Sequence, residues 1–127
     1  MSPRYLNSLL TGNVEPAARI KLRLVGLSDF FRLPGAFGED SHDRRDLPVL
    51  ALERLSRHLS LDLKPSQLIV VGDTPNDIDC ARHNGLRSVA VATGRSHSTE
   101  DLRAHEPDAV LQDLSDTELF MGTLASL

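Results

Sequence analysis

Gln67-Leu68-Ile69-Val70-Val71-Gly72-Asp73-Thr74-Pro75-Asn76-Asp77 runs from an apolar segment through a glycine to two carboxylates. Residues 68–71 are apolar at every position, which fits a strand buried on both faces of a parallel sheet. Gly72 permits a tight turn at the strand's end. Asp73 then falls at the carboxyl edge of the sheet, where open α/β folds bind their ligands. Pro75 suits the start of a helix, and Asp77 falls in its first turn. Two hard oxygen ligands beside a helix N-terminus suit Mg²⁺ together with a phosphate.

Outward from this stretch, the chain reads as alternating strands and helices. Residues 6–10 form a short apolar strand closed by Thr11-Gly12-Asn13. Pro16 opens a segment that Gly26 closes. Arg19 to Leu24 alternates like a half-buried strand, but the proline start and glycine stop favour a helix. A second short strand is expected at residues 35–38, followed by a polar loop. Residues 48–59 read as a helix with Val49, Leu52, Leu55 and Leu59 on one face. After the helix at 75–83, stopped by Asn84-Gly85, come a strand at 88–92 ending in Thr93-Gly94 and a capping box at Ser98-Thr99-Glu100-Asp101. A strand at 109–111 and a helix opened by Ser115-Asp116-Thr117-Glu118 end the pattern. The fold class is α/β, with a mainly parallel sheet and helices on both faces.

Composition sets outer bounds. A length of 127 residues suits one domain with a modest core. The formal net charge is -4, and no block of lysine and arginine marks a nucleic-acid or membrane partner. Cys80 is the single cysteine, so no intramolecular disulfide or cysteine-based zinc site can form, and a cytoplasmic location is expected. No apolar run approaches a membrane span, and Met1-Ser2-Pro3-Arg4 does not open a signal peptide.

Several chemically useful groups follow strands or lie in loops on the same presumptive sheet edge. Thr11 follows the first strand, Arg44 and Arg45 lie in the loop after the second, and Asp73 and Asp77 follow the third. A hydroxyl, a cation and two carboxylates suit phosphoryl chemistry, in which catalysis is mostly positioning and charge neutralisation. Thr11, with the amides of Gly12 and Asn13, is a candidate cradle for phosphate oxygens, and an arginine offers a planar fork of donors. Each group also has a plain structural reading. Thr11 can shape a turn, Arg44 and Arg45 can be solvated, and Asp77 can simply favour its helix N-terminus. His42, near the arginines, reads as a surface histidine.

Leu9-Leu10-Thr11-Gly12-Asn13, Asp43-Arg44-Arg45-Asp46-Leu47-Pro48 and Gly72-Asp73-Thr74-Pro75-Asn76-Asp77 resemble three ordered motifs of the haloacid dehalogenase-like hydrolases, in the phosphoglycolate-phosphatase-like branch. The resemblance implies a Rossmann-like three-layer core and a Mg²⁺-dependent phosphatase acting on a small phosphate monoester. In that family an aspartate takes the phosphoryl group and water releases it. Thr11 matches the hydroxyl that binds the phosphoryl oxygen, and Asp73 and Asp77 match the metal-site acids, with Asp73 the direct ligand. The family's third motif usually carries lysine; here Arg44 or Arg45 stands in its loop, and Arg44 is favoured.

The family's first motif, an apolar strand ending in Asp-x-Asp-x-Thr, has no counterpart before Leu9, and the cap domain is missing too. The chain therefore resembles the C-terminal part of a phosphatase, an incomplete core without its nucleophile. Two central strands would lack a neighbour. They could close up, pair with another chain, or have lost an N-terminal part. The enzymatic expectation is a phosphatase that is inactive as these residues alone. The alternative is a non-catalytic module that binds phosphate and Mg²⁺, or pairs strands into a homo-oligomer. A receiver-like signalling domain fits less well, because no lysine follows Lys64.

Overall fold

The computed structural model describes residues 5–93 and 97–127. Residues 1–4 and Gly94, on which parts of the sequence reading fall, lie outside them. The chain divides into two compact units, Met1–Lys64 and Pro65–Leu127.

The first unit is built on two helices, α1 (Glu15–Leu24) and α2 (Leu47–Leu59). Pro16 sits in the first turn of α1 and Pro48 in that of α2, where a missing N–H costs nothing. Past α1, Gly26 adopts a positive φ of 74° and stops the helix as the sequence suggests. The two expected strands shrink to one parallel bridge between Leu10 and Ala36. Thr11 N–H donates to the Ala36 carbonyl at 3.2 Å, and Ala36 N–H donates to the Leu9 carbonyl at 3.0 Å. Glycines on both sides of this pairing weaken a longer ladder, and Gly38 already begins a 3₁₀ turn at Gly38–Asp40.

Helix α2 buries Leu47, Pro48, Ala51 and Leu55, and Ala36, Leu47 and Ala51 form the unit's buried cluster. This face differs from the expected one: Val49 is 42% exposed. Positions 47, 51 and 55 repeat every four residues and so share one side of the helix, which turns Val49 to the other.

One ion pair ties α2 to the loop before it. Arg54 donates to both carboxylate oxygens of Asp40 at 2.8 Å each, and to the Gly35 carbonyl at 2.9 Å. Phe37 N–H also donates to Asp40, at 2.8 Å. Arg19 of α1 donates to the Phe31 and Leu33 carbonyls and lies 5.4 Å from the Phe37 ring centre.

The second unit is a three-layer α/β arrangement. Strands β1 (Ile69–Gly72), β2 (Arg87–Val91) and β3 (Ala109–Leu111) form a parallel sheet in the order β1-β2-β3. Ile69 pairs with Arg87 and Gly72 with Ala90; Val89 pairs with Ala109 and Val91 with Leu111. Alternation along β2 splits the core. Ala90 packs with Ile78 of α3 (Pro75–His83) and Leu102 of α4 (Thr99–Arg103) on one face. Val89 and Val91 pack with Leu111, Phe120 and Leu124 on the other, where the last two belong to α5 (Thr117–Ser126). The helix starts follow their sequence signals: Ser98 and Asp101 form the capping box of α4, and Asp116 caps α5.

Strand β1 departs from its expected burial on both faces, since Val71 is 43% exposed. Among the described residues β1 pairs only with β2, so it is the edge of this sheet. Val71 also joins neither hydrophobic cluster of the unit.

The Arg54 hydrogen bonds hold the Asp40 carboxyl at about 2, below its ordinary 3.8, with the Phe37 amide assisting and partial burial opposing. A carboxyl whose folded value is depressed stabilises the fold above its unfolded value. That contribution is lost as pH falls from 3.8 towards about 2. Urea unfolding of the chain across this range should show stability falling with pH, and Asp40→Asn should flatten the fall. Equal slopes for the two proteins would contradict the assignment.

Candidate active site

The turn after β1 is organised by Asp77. Its Oδ2 accepts hydrogen bonds from Asp73 N–H at 3.1 Å, Thr74 N–H at 3.0 Å and the Thr74 hydroxyl at 2.9 Å. Thr74 Oγ1 in turn accepts from Asp77 N–H at 3.4 Å, closing a capping box at the head of α3. The carboxylate fits because position 72 has no side chain. A Cβ on Gly72 would collide with the Asp77 carboxylate itself. The plain reading of Asp77 as a helix-start acid therefore describes one of its oxygens, which is fully occupied by the turn.

Asp73 differs. It is exposed, only its backbone takes part in the turn, and its carboxylate accepts no hydrogen bond from a described residue. Its negative charge stands one residue past the end of β1, at the carboxyl edge of the sheet. No group of three or more His, Cys, Asp or Glu side chains among the described residues could enclose a metal ion. A small hard cation such as Mg²⁺ does not need such a cage: it keeps waters and takes one or two carboxylates along with substrate phosphate oxygens. An uncommitted Asp73 fits that requirement.

In the first unit, Thr11, Gly12, Asn13, Gly38, Ser41, His42, Arg44 and Leu47 line a concavity of about 470 Å³. The loop at 11–13 is pressed against its neighbour. Gly38 N–H donates to the Asn13 carbonyl at 2.8 Å, and a Cβ at position 38 would collide with the Gly12 carbonyl. Thr11 Oγ1 accepts from Asn13 N–H at 3.1 Å, so Thr11 does shape the turn, as its plain reading holds. The hydroxyl proton remains available to a ligand. Of the two amides expected to cradle phosphate, that of Asn13 is turned onto Thr11, while Gly12 N–H donates to no described residue.

The structure distinguishes the two arginines. Arg44 lines the concavity, and a methyl placed on Gly12 would stand 3.6 Å from its guanidinium carbon. Its guanidinium makes no hydrogen bond or ion pair to a described residue. Arg45 is not in this lining, and its amide donates to Asp43 at 2.9 Å. Consecutive positions on the 3₁₀ turn Arg44–Asp46 point about a third of a revolution apart, so only one can face the concavity. His42 is exposed, as the sequence suggests, and it lines the concavity together with Ser41, which sequence reasoning did not mark. Their closeness to Arg44 in sequence was the available signal.

Thr11, Gly12, Asn13 and Arg44 are thus gathered within the first unit, while Asp73 and Asp77 share one turn of the second. A hydroxyl, a free amide and a guanidinium around one hollow can hold a tetrahedral anion. A free carboxylate at a strand's carboxyl edge can hold a divalent cation.

With that geometry established, the chain belongs to the haloacid dehalogenase-like hydrolases: residues 47–117 match the family described as HAD-hydrolase-like. Among curated proteins it is 30% identical over 114 residues to the pyrophosphatase PpaX of Bacillus velezensis, covering 88% of this chain and 50% of that protein. It is 29% identical over 119 residues to the phosphoglycolate phosphatase of Pectobacterium atrosepticum, covering 94% of this chain and 49% of that enzyme. A haloacid dehalogenase-like hydrolase from Streptococcus pneumoniae shares the fold with a TM-score of 0.76 at 22% identity, over 91% of this chain and 52% of that one. The chain spans about half the length of the curated relatives it matches. No helix among the described residues is long and apolar enough to cross a membrane.

If Asp77 is the keystone of the turn, Asp77→Ala should cost about 1 to 2 kcal/mol of unfolding free energy, the scale of a lost helix cap. Gly72→Ala should destabilise the chain by about as much or more, through the collision. Chemical denaturation measures both, and unchanged midpoints would refute the role.

Proposed function

We propose that this chain carries the phosphate-binding and metal-binding parts of a Mg²⁺-dependent phosphatase acting on a small phosphate monoester. The observation that carries the reading is the contrast within Gly72 to Asp77: one carboxylate holds the turn and the other is left free at the sheet edge. Family membership supports it, as do the phosphatase names of the relatives, whose similarity runs through both units.

The roles follow residue by residue. Arg44 presents a planar fork of donors to phosphoryl oxygens, with the Thr11 hydroxyl and the Gly12 amide as further donors. Asn13 holds Thr11 in place from its own amide and keeps its side-chain amide for the ligand. Arg45 stabilises the loop that aims Arg44. Asp73 holds Mg²⁺, which would neutralise charge on the phosphoryl group when bound. Asp77 positions Asp73 and leaves its second oxygen to the metal's water shell. The aspartate nucleophile of the family lies outside these 127 residues in this reading. Both units are assigned to one family core, and a single cysteine suits a cytoplasmic setting.

One observation favours a second reading, a strand-pairing module. β1 has a pairing neighbour on one side only among the described residues, which leaves a ladder edge for another chain. Sedimentation velocity separates the readings, since strand pairing requires a stable oligomer and a monodisperse monomer rejects it.

Joined to an apolar strand ending in Asp-x-Asp-x-Thr, the chain should hydrolyse p-nitrophenyl phosphate with Mg²⁺. Thr11→Ala or Asp73→Asn should then lower the rate by about a hundredfold or more. The isolated chain should show no meaningful turnover. Turnover by the isolated chain that depends on Thr11 and Asp73 would overturn the proposal.

A further inference from the structure

We infer that His42 is a second, proton-dependent contact for the anion held in the Thr11–Arg44 concavity. The inference rests on the reading of that concavity as a phosphate site and adds to it a titrating group. His42 lines the same hollow as Thr11, Gly12, Asn13 and Arg44. Its imidazole is exposed and makes no hydrogen bond or ion pair to a described residue. Two donor-bearing side chains, two residues apart and both uncommitted, therefore face one hollow.

The surrounding charges favour this role. Within the lining Arg44 is the one group that is always charged; Thr11, Asn13 and Ser41 are neutral. The nearby acids each accept a hydrogen bond of their own, in one case from Ser41 of the lining, and none of them lines the hollow. Asp43 accepts from Arg45 N–H, Asp46 from the Ser41 hydroxyl, Asp40 from Arg54 and Glu39 from Glu15 N–H. No carboxylate lines the hollow to neutralise a protonated imidazole. An incoming dianion would bring a counter-charge into the hollow itself. Histidine titrates near neutrality, so anion affinity should rise as pH falls through the imidazole range. At an exposed site, one added unit charge near contact distance strengthens binding by roughly three- to tenfold. Linkage requires the reverse effect too: bound anion must raise the His42 pKa by the logarithm of the same factor.

Sulfate is the probe, because it stays doubly charged on both sides of neutrality, whereas phosphate itself titrates. Its affinity for the 127-residue chain is measured by calorimetry at about pH 5.5 and about pH 7.5, either side of the ordinary imidazole value. In parallel, the His42 ring proton is titrated by NMR with and without sulfate. The chain should bind roughly three- to tenfold more tightly at the lower pH, and sulfate should raise the His42 pKa correspondingly. His42→Gln, which keeps a donor but no charge, should remove most of the pH dependence. Arg44→Ala should weaken binding at both pH values. If Arg44→Ala weakens binding but His42 neither shifts nor matters, the inference falls and the phosphate reading stands. If sulfate does not bind, or binds independently of Arg44, both fall.

Discussion

The arrangement at the sheet edge depends on one carboxylate oxygen. Oδ2 of Asp77 gathers three donors from Asp73 and Thr74, and can do so because Gly72 leaves the space a side chain would fill. The direction in which the chain leaves β1, the start of α3 and the outward position of Asp73 all follow from it. Three hydrogen bonds to one carboxylate oxygen offset part of the conformational entropy lost in fixing the turn. Behind the turn, Ile78 of α3 is almost fully buried against Ala90 and Leu102, which anchors the helix the turn begins.

The first unit solves a similar problem with different parts. Its loop at 11–13 is held from behind by the 36–38 segment, and that segment is held by Asp40 and Arg54. Glycine permits the closest approach in both units: Gly72 admits a carboxylate, and Gly38 admits the Gly12 carbonyl. The backbone framework is thus fastened within itself, and Arg44, His42 and the Thr11 hydroxyl proton are left without hydrogen-bond partners among the described residues. Groups without internal partners in an otherwise satisfied framework are those a ligand can claim without breaking the fold.

Much of this was legible in the sequence. The apolar run before Gly72, the proline and glycine punctuation of the helices, and the capping box at Ser98 place most elements to within a residue or two. These signals are local, and local chemistry decides them. The misplacements concern partners. Residues 6–10 and 35–38 have strand composition, but a strand needs a ladder, and only Leu10 and Ala36 find one. Val71 looks core-like, but among the described residues β1 pairs on one side only and Val71 is left exposed. The helical face of α2 was misjudged at Val49 because apolar spacing alone does not say which stripe meets the neighbouring loop. The candidate site shows the same divide. The motif resemblance named Thr11, Asp73 and Asp77 and favoured Asp73 as the direct ligand, but the hydrogen bonds that tie Asp77 Oδ2 to the turn depend on a side-chain rotamer and were not legible. The resemblance likewise favoured Arg44 over Arg45, and what the sequence lacked was the physical reason, namely which side of a 3₁₀ turn faces the hollow.

The central claim is that Asp77 holds the turn so that Asp73 alone offers a free carboxylate to a divalent cation. Titrating the chain with Mn²⁺ as a paramagnetic stand-in for Mg²⁺, and following backbone amide signals by NMR, tests it most directly. The account predicts that the amides of Asp73 and Thr74 broaden first, and that Asp73→Asn abolishes this selective broadening. Broadening centred elsewhere, or undiminished in Asp73→Asn, would contradict it.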